Sequence, residues 1–223
     1  MNDSDIIKGN NMKITILYDN ESRIDGLKAD WGFSCLIECY GVSLLFDTGT
    51  NGDLLLENMK TLGIDPESIN EIFISHVHFD HIGGLSSFLN KSGNTKVYAP
   101  SPLKGITPAR EVIYIDGPMQ LNQYFYTTGL LNGLEQSLAI QTEKGLVVVV
   151  GCSHPGVENI LNAVAPYGKP YALIGGLHGF RDLETIKMLR LICPTHCTQY
   201  ISEIIFMYPD KYISGGVGEV IEI

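Results

Sequence analysis

The 223-residue sequence has few positive charges and no long apolar run. It contains 15 Lys and Arg against 25 Asp and Glu, which gives a net charge of -10. The positive residues are scattered, so nucleic acid is not an expected partner. No apolar run approaches the roughly 20 residues that cross a bilayer, and residues 1–11 lack the basic and then apolar layout of a signal peptide. We therefore expect a cytoplasmic protein with no membrane partner.

Cysteine is also scarce, with five residues in the chain. An odd number of cysteines, two of them in a strand-like stretch, favours reduced thiols over a disulfide framework. The acidic surface repels an anionic small-molecule substrate unless metal ions or local cations offset the repulsion. The sequence leaves open whether the protein forms a homo-oligomer.

Strand-like and helix-like segments interleave along the chain, which predicts a layered α/β protein. No composition shift or long linker divides it, so we expect one domain over residues 12–223 and a flexible extension over residues 1–11. Two irregular stretches, 19–32 and 101–110, are interpreted either as lids over a site or as plain surface loops. The predicted strands are 13–18, 33–39, 42–47, 71–75, 96–99, 111–115, 138–142, 146–150, 171–174 and 218–223. The predicted helices are 53–62, 82–90, 157–165, 183–191 and 202–208.

The six histidines are placed where ligand sites usually form. Three of them fall within one six-residue segment, and each of the other three follows a short apolar run. Loops at the carboxyl ends of strands in open α/β sheets converge on one crevice. The sequence therefore predicts one shared site that contains His76, His78, His81, His154, His178 and His196.

The first group of histidines has a spacing suited to metal binding. An extended backbone after a buried strand sends His76 and His78 to the same side, where they can hold one ion. Asp80 and His81 come where the chain turns into a helix, so they can face a second ion. The paired glycines 83–84 let that helix start close to the site.

Ordinary structural roles exist for each of these residues taken singly. A lone histidine near a strand end is more often a hydrogen-bonded structural residue, and Asp80 alone would be a usual helix N-cap. Four such residues at this spacing favour a metal site instead. Imidazole and carboxylate are the usual ligands of zinc, manganese and iron.

The segment Ser75-His76-Val77-His78-Phe79-Asp80-His81-Ile82-Gly83-Gly84 resembles the H-x-H-x-D-H signature of the metallo-β-lactamase superfamily. Leu45-Phe46-Asp47-Thr48-Gly49 resembles an earlier strand of that superfamily that ends in D-x-G. The resemblance implies a four-layer αββα sandwich of two mixed sheets, with Asp47 supporting the metal site from behind its ligands. Shorter motifs resemble the branch of 7,8-dihydropterin-6-methyl-4-(β-D-ribofuranosyl)aminobenzene-5'-phosphate synthases; they lie at 31–34, 151–154, 175–178 and 194–197.

The chain departs from the superfamily pattern after its first motif. The usual third-motif histidine, expected near residues 127–129, is absent, and Gly151-Cys152-Ser153-His154 stands where a bridging aspartate usually follows a strand. The resemblance implies two divalent ions, with zinc first and manganese or iron as alternatives. It implies that His76, His78 and His154 bind one ion.

The same resemblance implies that Asp80, His81 and His178 bind the second ion. Four roles for His196 remain open: it binds substrate, transfers protons, replaces His178 as a ligand, or is structural. Cys193 and Cys197 are interpreted as inert thiols, because their spacing is not the C-x-x-C of redox pairs.

Such a centre activates water for hydrolysis of a phosphoester, thioester or lactone. We expect Asp80 to orient the attacking water and His196 to protonate the leaving group. The first hypothesis is thus a hydrolase-like enzyme acting on a small phosphorylated, pterin-like compound. The alternative is a metal-stabilised module that binds a ligand or senses redox state without turnover. Nucleic-acid processing is a third and weaker hypothesis, because the chain is acidic.

Overall fold

The computed structural model describes residues 11–223, so the predicted flexible extension lies outside the described residues apart from Asn11. The strands are β1 Lys13–Tyr18, β2 Ser34–Cys39, β3 Val42–Phe46, β4 Glu71–Phe73, β5 Lys96–Pro100, β6 Glu111–Ile115, β7 Met119–Gln120, β8 Phe125–Thr127, β9 Leu138–Thr142, β10 Gly145–Val150, β11 Pro170–Gly176, β12 Leu191–Thr195 and β13 Val220–Glu222. The α-helices are α1 Gly52–Thr61, α2 Phe79–Ile82, α3 Leu85–Ser92, α4 Val157–Val164 and α5 Ile201–Met207. Short 3-10 turns cover Pro66–Ser68, Ala165–Tyr167 and Leu183–Ile186.

The strands form two mixed sheets. The first has the order β13-β1-β2-β3-β4-β5-β6, and the second has the order β12-β11-β10-β9-β8-β7. In the first sheet β3, β4, β5 and β6 run parallel to one another, whereas β1 and β2 pair antiparallel. In the second sheet β10, β11 and β12 are parallel. Each sheet therefore presents several strand carboxyl ends at one edge.

Successive side chains along each strand contribute to different layers of the core. In β3, Leu44 and Phe46 join the cluster of buried residues between the two sheets, while Leu45 joins a cluster that α1 and α3 cover. In β10, Val147 contributes to the core between the sheets, and Val148 packs with residues of α4. Because successive side chains point to opposite faces of a strand, both sheets are buried on both sides. The layers follow the order αββα, which confirms the fold expected from the sequence.

One predicted helix is wrong. Residues 183–191 form only the 3-10 turn Leu183–Ile186, and Leu191 begins β12. The apolar spacing that suggested a helix instead buries Leu183, Ile186 and Leu189 in the outer cluster. Leu191 pairs with Ala172 of β11, so sheet pairing outweighs local helical preference here.

The observed boundaries of other elements also differ from the predicted ones. The helix predicted over 82–90 is split into α2 and α3, which are separated by Gly83 and Gly84. A β-carbon on Gly83 would lie 2.1 Å from the backbone oxygen of Thr50, so only glycine lets this turn approach the loop after β3. Strands β7, β8 and β12 were not predicted.

Within residues 11–223, no helix combines the length and the apolar character needed to cross a bilayer.

The core between the sheets should dominate stability. Ile140 of β9 is completely buried in this core, whereas Ile205 of α5 is 41% exposed. We expect Ile140→Ala to lower the free energy of unfolding by about 2–5 kcal/mol, because the truncation leaves a cavity. The matched change Ile205→Ala should stay within about 0.5 kcal/mol of the unchanged protein. Urea unfolding followed by circular dichroism measures both, and equal losses would contradict the layer assignment.

Candidate metal centre

The six histidines lie beyond the carboxyl ends of parallel strands, where the two sheets meet. The segment 76–81 follows β4, and His154 follows β10. His178 follows β11, and His196 follows β12. The placement expected from the strand-end argument is therefore the one observed.

Three imidazoles converge on one point. Nε2 of His76 and Nε2 of His154 each lie 3.1 Å from Nδ1 of His78. Nitrogens that bind zinc at its usual distance and tetrahedral angles are about 3.3 Å apart. The spacing and chemistry of these three nitrogens therefore fit a single divalent ion.

The surroundings favour the neutral forms of the His76 and His154 rings, and a neutral imidazole is the form that binds a metal. Burial, together with the neighbouring imidazoles, lowers the pKa of His76 far below its ordinary value. Burial and the nearby His78 lower the pKa of His154 to about 4. Ser75 Oγ lies 2.9 Å from Nδ1 of His76 and helps to aim Nε2 at the site.

A second group of donors lies beside the first. Donor atoms of Asp80, His81 and His196 all lie within 4.8 Å of one another. Nε2 of His196 is 3.2 Å from Oδ2 of Asp80. A carboxylate and two imidazoles form a donor set that suits zinc, iron or manganese.

Cys152 connects the two groups and was not predicted as a ligand. Its Sγ lies 3.1 Å from Nε2 of His81, and the thiol falls within 4.8 Å of donor atoms of both His76 and His81. It occupies the place after β10 where the superfamily pattern has a bridging aspartate. The Gly-Cys-Ser-His motif carries this signal, although only its histidine was predicted to bind metal.

The structure places His178 apart from Asp80 and His81, with which the resemblance grouped it. His178 is exposed and belongs to neither group of donors; its ring centroid lies 5.2 Å from that of His154. His196 stands beside Asp80 instead. The physical reason is β12, a strand that was not predicted, which pairs with β11 at the edge of the second sheet and delivers His196 to the site.

Asp47 contacts the Nδ1 side of the His81 ring, opposite the Nε2 atom that faces the candidate centre. Its buried carboxylate accepts hydrogen bonds from the backbone N–H and the hydroxyl of Ser75, at 2.7 and 2.6 Å. Its Oδ2 also lies 2.7 Å from Nδ1 of His81. Burial opposes a charge on His81, but the Asp47 carboxylate outweighs it and raises the pKa of that ring. The contact directs Nε2 of His81 toward the site, as expected of a carboxylate that orients a metal ligand.

The stretch 19–32 positions the second group. Oδ1 of Asp19 accepts the backbone N–H of His196 at 2.9 Å, and Oδ1 of Asn20 lies 3.0 Å from its Nδ1. At the other end of the stretch, the indole N–H of Trp31 donates to Oδ2 of Asp80 at 2.9 Å. Both ends of this loop therefore contact residues of the candidate centre.

Glu135 fixes the loop that carries Cys152 and His154. Its carboxylate is buried, and Oε1 accepts the backbone N–H groups of Gly151, Cys152 and Ser153. Oε2 accepts the N–H of His154 at 3.0 Å. No sequence signal pointed to this residue, because a single glutamate before a strand matches no motif.

The comparisons with known proteins agree with this architecture. The family model described as the metallo-beta-lactamase superfamily matches residues 36–161. The chain belongs to this superfamily.

Two relatives extend the comparison. A 7,8-dihydropterin-6-methyl-4-(beta-D-ribofuranosyl)-aminobenzene-5'-phosphate synthase from Methanocaldococcus jannaschii is 31% identical over 90% of this chain and 92% of its own length. An N-acyl homoserine lactonase from Bacillus cereus is 35% identical over 63% of this chain and 58% of its own length. Among solved structures, a metal-dependent hydrolase of the beta-lactamase superfamily matches with a TM-score of 0.77 and 26% identity, over 95% of this chain and 99% of that one.

The Asp47 contact makes a prediction about metal affinity. Asp47→Asn keeps the shape of the side chain but removes the charge that orients His81, so we expect metal affinity to fall by about 10–100-fold. Competition with a chromophoric chelator measures this affinity. Asp53→Asn, on the exposed face of α1, serves as the control. An unchanged affinity in Asp47→Asn would contradict the orienting role.

Proposed function

We propose that this protein is a metal-dependent hydrolase-like enzyme that uses a mono- or dinuclear centre to activate water on a small phosphorylated, pterin-like substrate. The observation that carries the proposal is the convergence of two groups of three donor residues at one edge of the sandwich. The name of the archaeal relative supports the substrate class, since that protein is named for a phosphorylated pterin compound. Hydrolysis and a synthase reaction on such a compound both require a phosphorylated group to be held at the same centre.

We assign His76, His78 and His154 to one ion and Asp80, His81 and His196 to the other. Cys152 is the candidate for a shared ligand between them, because its thiol lies within reach of donors in both groups. Nitrogen, oxygen and sulfur donors together favour zinc, with iron or manganese as the alternatives. This assignment gives His196 the ligand role first expected of His178.

Bound divalent ions supply charge that lowers the pKa of water and stabilises negative charge on a phosphoryl oxygen. Asp80 is held in position by the Trp31 N–H, which leaves its carboxylate aimed at the site. Burial, together with the neighbouring His81, lowers the pKa of His196 to about 4. His196 is therefore neutral near pH 7, which suits a ligand better than a proton donor.

His178 is the better proton-transfer group under this assignment. Its ring is exposed and its centroid lies 5.2 Å from that of His154, so it can reach a substrate bound at the centre. Imidazole is the side-chain group that most often transfers protons in enzymes. We propose that His178 transfers a proton to the leaving group of the substrate.

The proposal also covers the cellular location of the enzyme and the kind of partner it binds. We infer a cytoplasmic protein whose partner is a small anionic molecule rather than nucleic acid or a membrane. The five cysteines, all in the described part of the chain, are unpaired and buried, which is typical of a reducing compartment.

Replacing His196 and His178 separately by alanine gives a direct test of the ligand assignment. His196→Ala removes a proposed ligand, so the purified protein should lose one of its two bound ions. His178→Ala removes an equally sized ring outside both donor groups and should keep both ions while losing turnover. Metal content by plasma mass spectrometry and metal titration distinguish the two. If His178→Ala loses the ion and His196→Ala keeps it, the assignment is wrong.

The reaction class is tested with the metal-loaded protein on phosphoesters, thioesters and lactones. We expect turnover of phosphoesters, and we expect His78→Ala and Asp80→Ala to abolish most of it. Circular dichroism checks that each variant folds. Turnover that survives loss of the metal would contradict the proposal. Metal binding without turnover of any substrate would favour the alternative, a binding or redox-sensing module.

The Cys152 assignment has a spectroscopic readout. With cobalt(II) replacing the native ion, a thiolate ligand produces an intense near-ultraviolet sulfur-to-metal charge-transfer band. We expect this band in the unchanged protein and its loss in Cys152→Ser. Cys39→Ser changes another buried cysteine, one on β2 in the core, and should keep the band. A band that persists in Cys152→Ser would exclude this thiol as a ligand.

A further inference from the structure

Two large aromatic side chains flank the candidate metal centre and are exposed. Trp31 is 56% exposed and Phe79 is 68% exposed. Scattered exposed apolar residues are ordinary on protein surfaces. These two differ because both adjoin the same candidate ligand, Asp80: Phe79 precedes it in the chain, and Trp31 bonds to its carboxylate.

The position of Trp31 relative to the centre is fixed by several contacts. Its indole N–H donates to Oδ2 of Asp80 at 2.9 Å, and its ring centroid lies 4.7 Å from that of His196. The backbone N–H of Phe33 donates to the carbonyl oxygen of Asp80 at 3.2 Å. A β-carbon on Gly32 would lie 2.7 Å from that same oxygen, so the chain crosses directly against Asp80.

The backbone of Phe79 is placed beside the centre by its position in the chain. It is the first residue of α2, between the candidate ligands His78 and Asp80. The two neighbours are directed to different donor groups, while the Phe79 ring points to solvent.

We propose that Trp31 and Phe79 bind a planar aromatic ring of the substrate while an anionic group of the same molecule reaches the metal centre. This inference rests on the proposed function and adds to it the residues that select the ring. Aromatic rings attract one another in offset-stacked and edge-to-face arrangements, and the two side chains expose ring surface beside the ligands. The substrate is thus an anion joined to a flat aromatic group, and aliphatic phosphoesters are poorer ligands.

The test compares two non-hydrolysable anions on the metal-loaded, full-length protein. Phenylphosphonate and methylphosphonate share the phosphonate group and differ in the ring. Because the chain has a single tryptophan, intrinsic fluorescence reports on Trp31. We expect phenylphosphonate to bind more tightly than methylphosphonate and to change this fluorescence more strongly.

Variants then separate the ring from the anion. Phe79→Leu should weaken phenylphosphonate binding roughly two- to tenfold, because one stacking partner is lost, and should leave methylphosphonate binding unchanged. Phe206→Leu, at an 87% exposed position on α5, is the matched control and should change neither affinity. Isothermal titration calorimetry measures all of these affinities.

Trp31 needs two variants because it also bonds to Asp80. Trp31→Phe loses the N–H but keeps a ring, so it should retain the preference for phenylphosphonate. Trp31→Leu loses both and should lose most of that preference. A change acting only through Asp80 would alter the affinities for both phosphonates by the same factor, which calorimetry detects.

The outcomes separate the two proposals. If both phosphonates bind and the ratio of their affinities is unchanged in Phe79→Leu and Trp31→Leu, stacking is wrong and the proposed function stands. If neither phosphonate binds the metal-loaded protein, both proposals fail. If Phe79→Leu instead converts a dimer into monomers in sedimentation experiments, the rings cover a second copy of the chain and the inference is overturned.

Discussion

Three buried carboxylates hold the loops from which the candidate metal centre is built. Asp47 orients His81, Glu135 collects four backbone N–H groups around Cys152, and Asp19 accepts the N–H of His196. A buried charge without such donors is strongly destabilising, so each carboxylate forces the nearby backbone to turn its N–H groups inward. The loops after β4, β10 and β12 are therefore each held by a carboxylate from elsewhere in the chain.

Several residues next to these loops have unusual backbone dihedral angles. Asp47, Ser153, His178 and His196 all have positive φ values, between 46 and 59°. Residues other than glycine adopt this region only when surrounding contacts hold them there, and such residues concentrate at functional sites. The four positions follow β3, β10, β11 and β12, at the sheet edge that carries the candidate ligands; the other two such residues in the described chain, Tyr40 and Asn132, lie in turns elsewhere.

Much of this could be predicted from local pattern. The strands β1, β6 and β9 have the predicted bounds, since alternation and turn residues define them within a few positions. The spacing of His76 and His78 predicts that these two share a site, and the resemblance to the superfamily added His154 to them. The sequence left open whether His196 takes the place of His178 beside Asp80, because the answer depends on β12 pairing with β11. The role of Glu135 could not be predicted either. It depends on contacts with residues 151–154 in the folded chain, and no periodic pattern in the sequence indicates them.

Each donor group draws ligands from both sheets. His76 and His78 follow a strand of the first sheet and His154 follows a strand of the second; Asp80 and His81 are likewise joined by His196 from the far sheet. An ion bound to either group would thus fasten one half of the sandwich to the other. Since the unfolded chain has no such arrangement of donors, the free energy of metal binding would add to that of folding. The centre would then cross-link the two sheets in addition to its part in the reaction. In a cell short of metal the protein would be less stable as well as inactive.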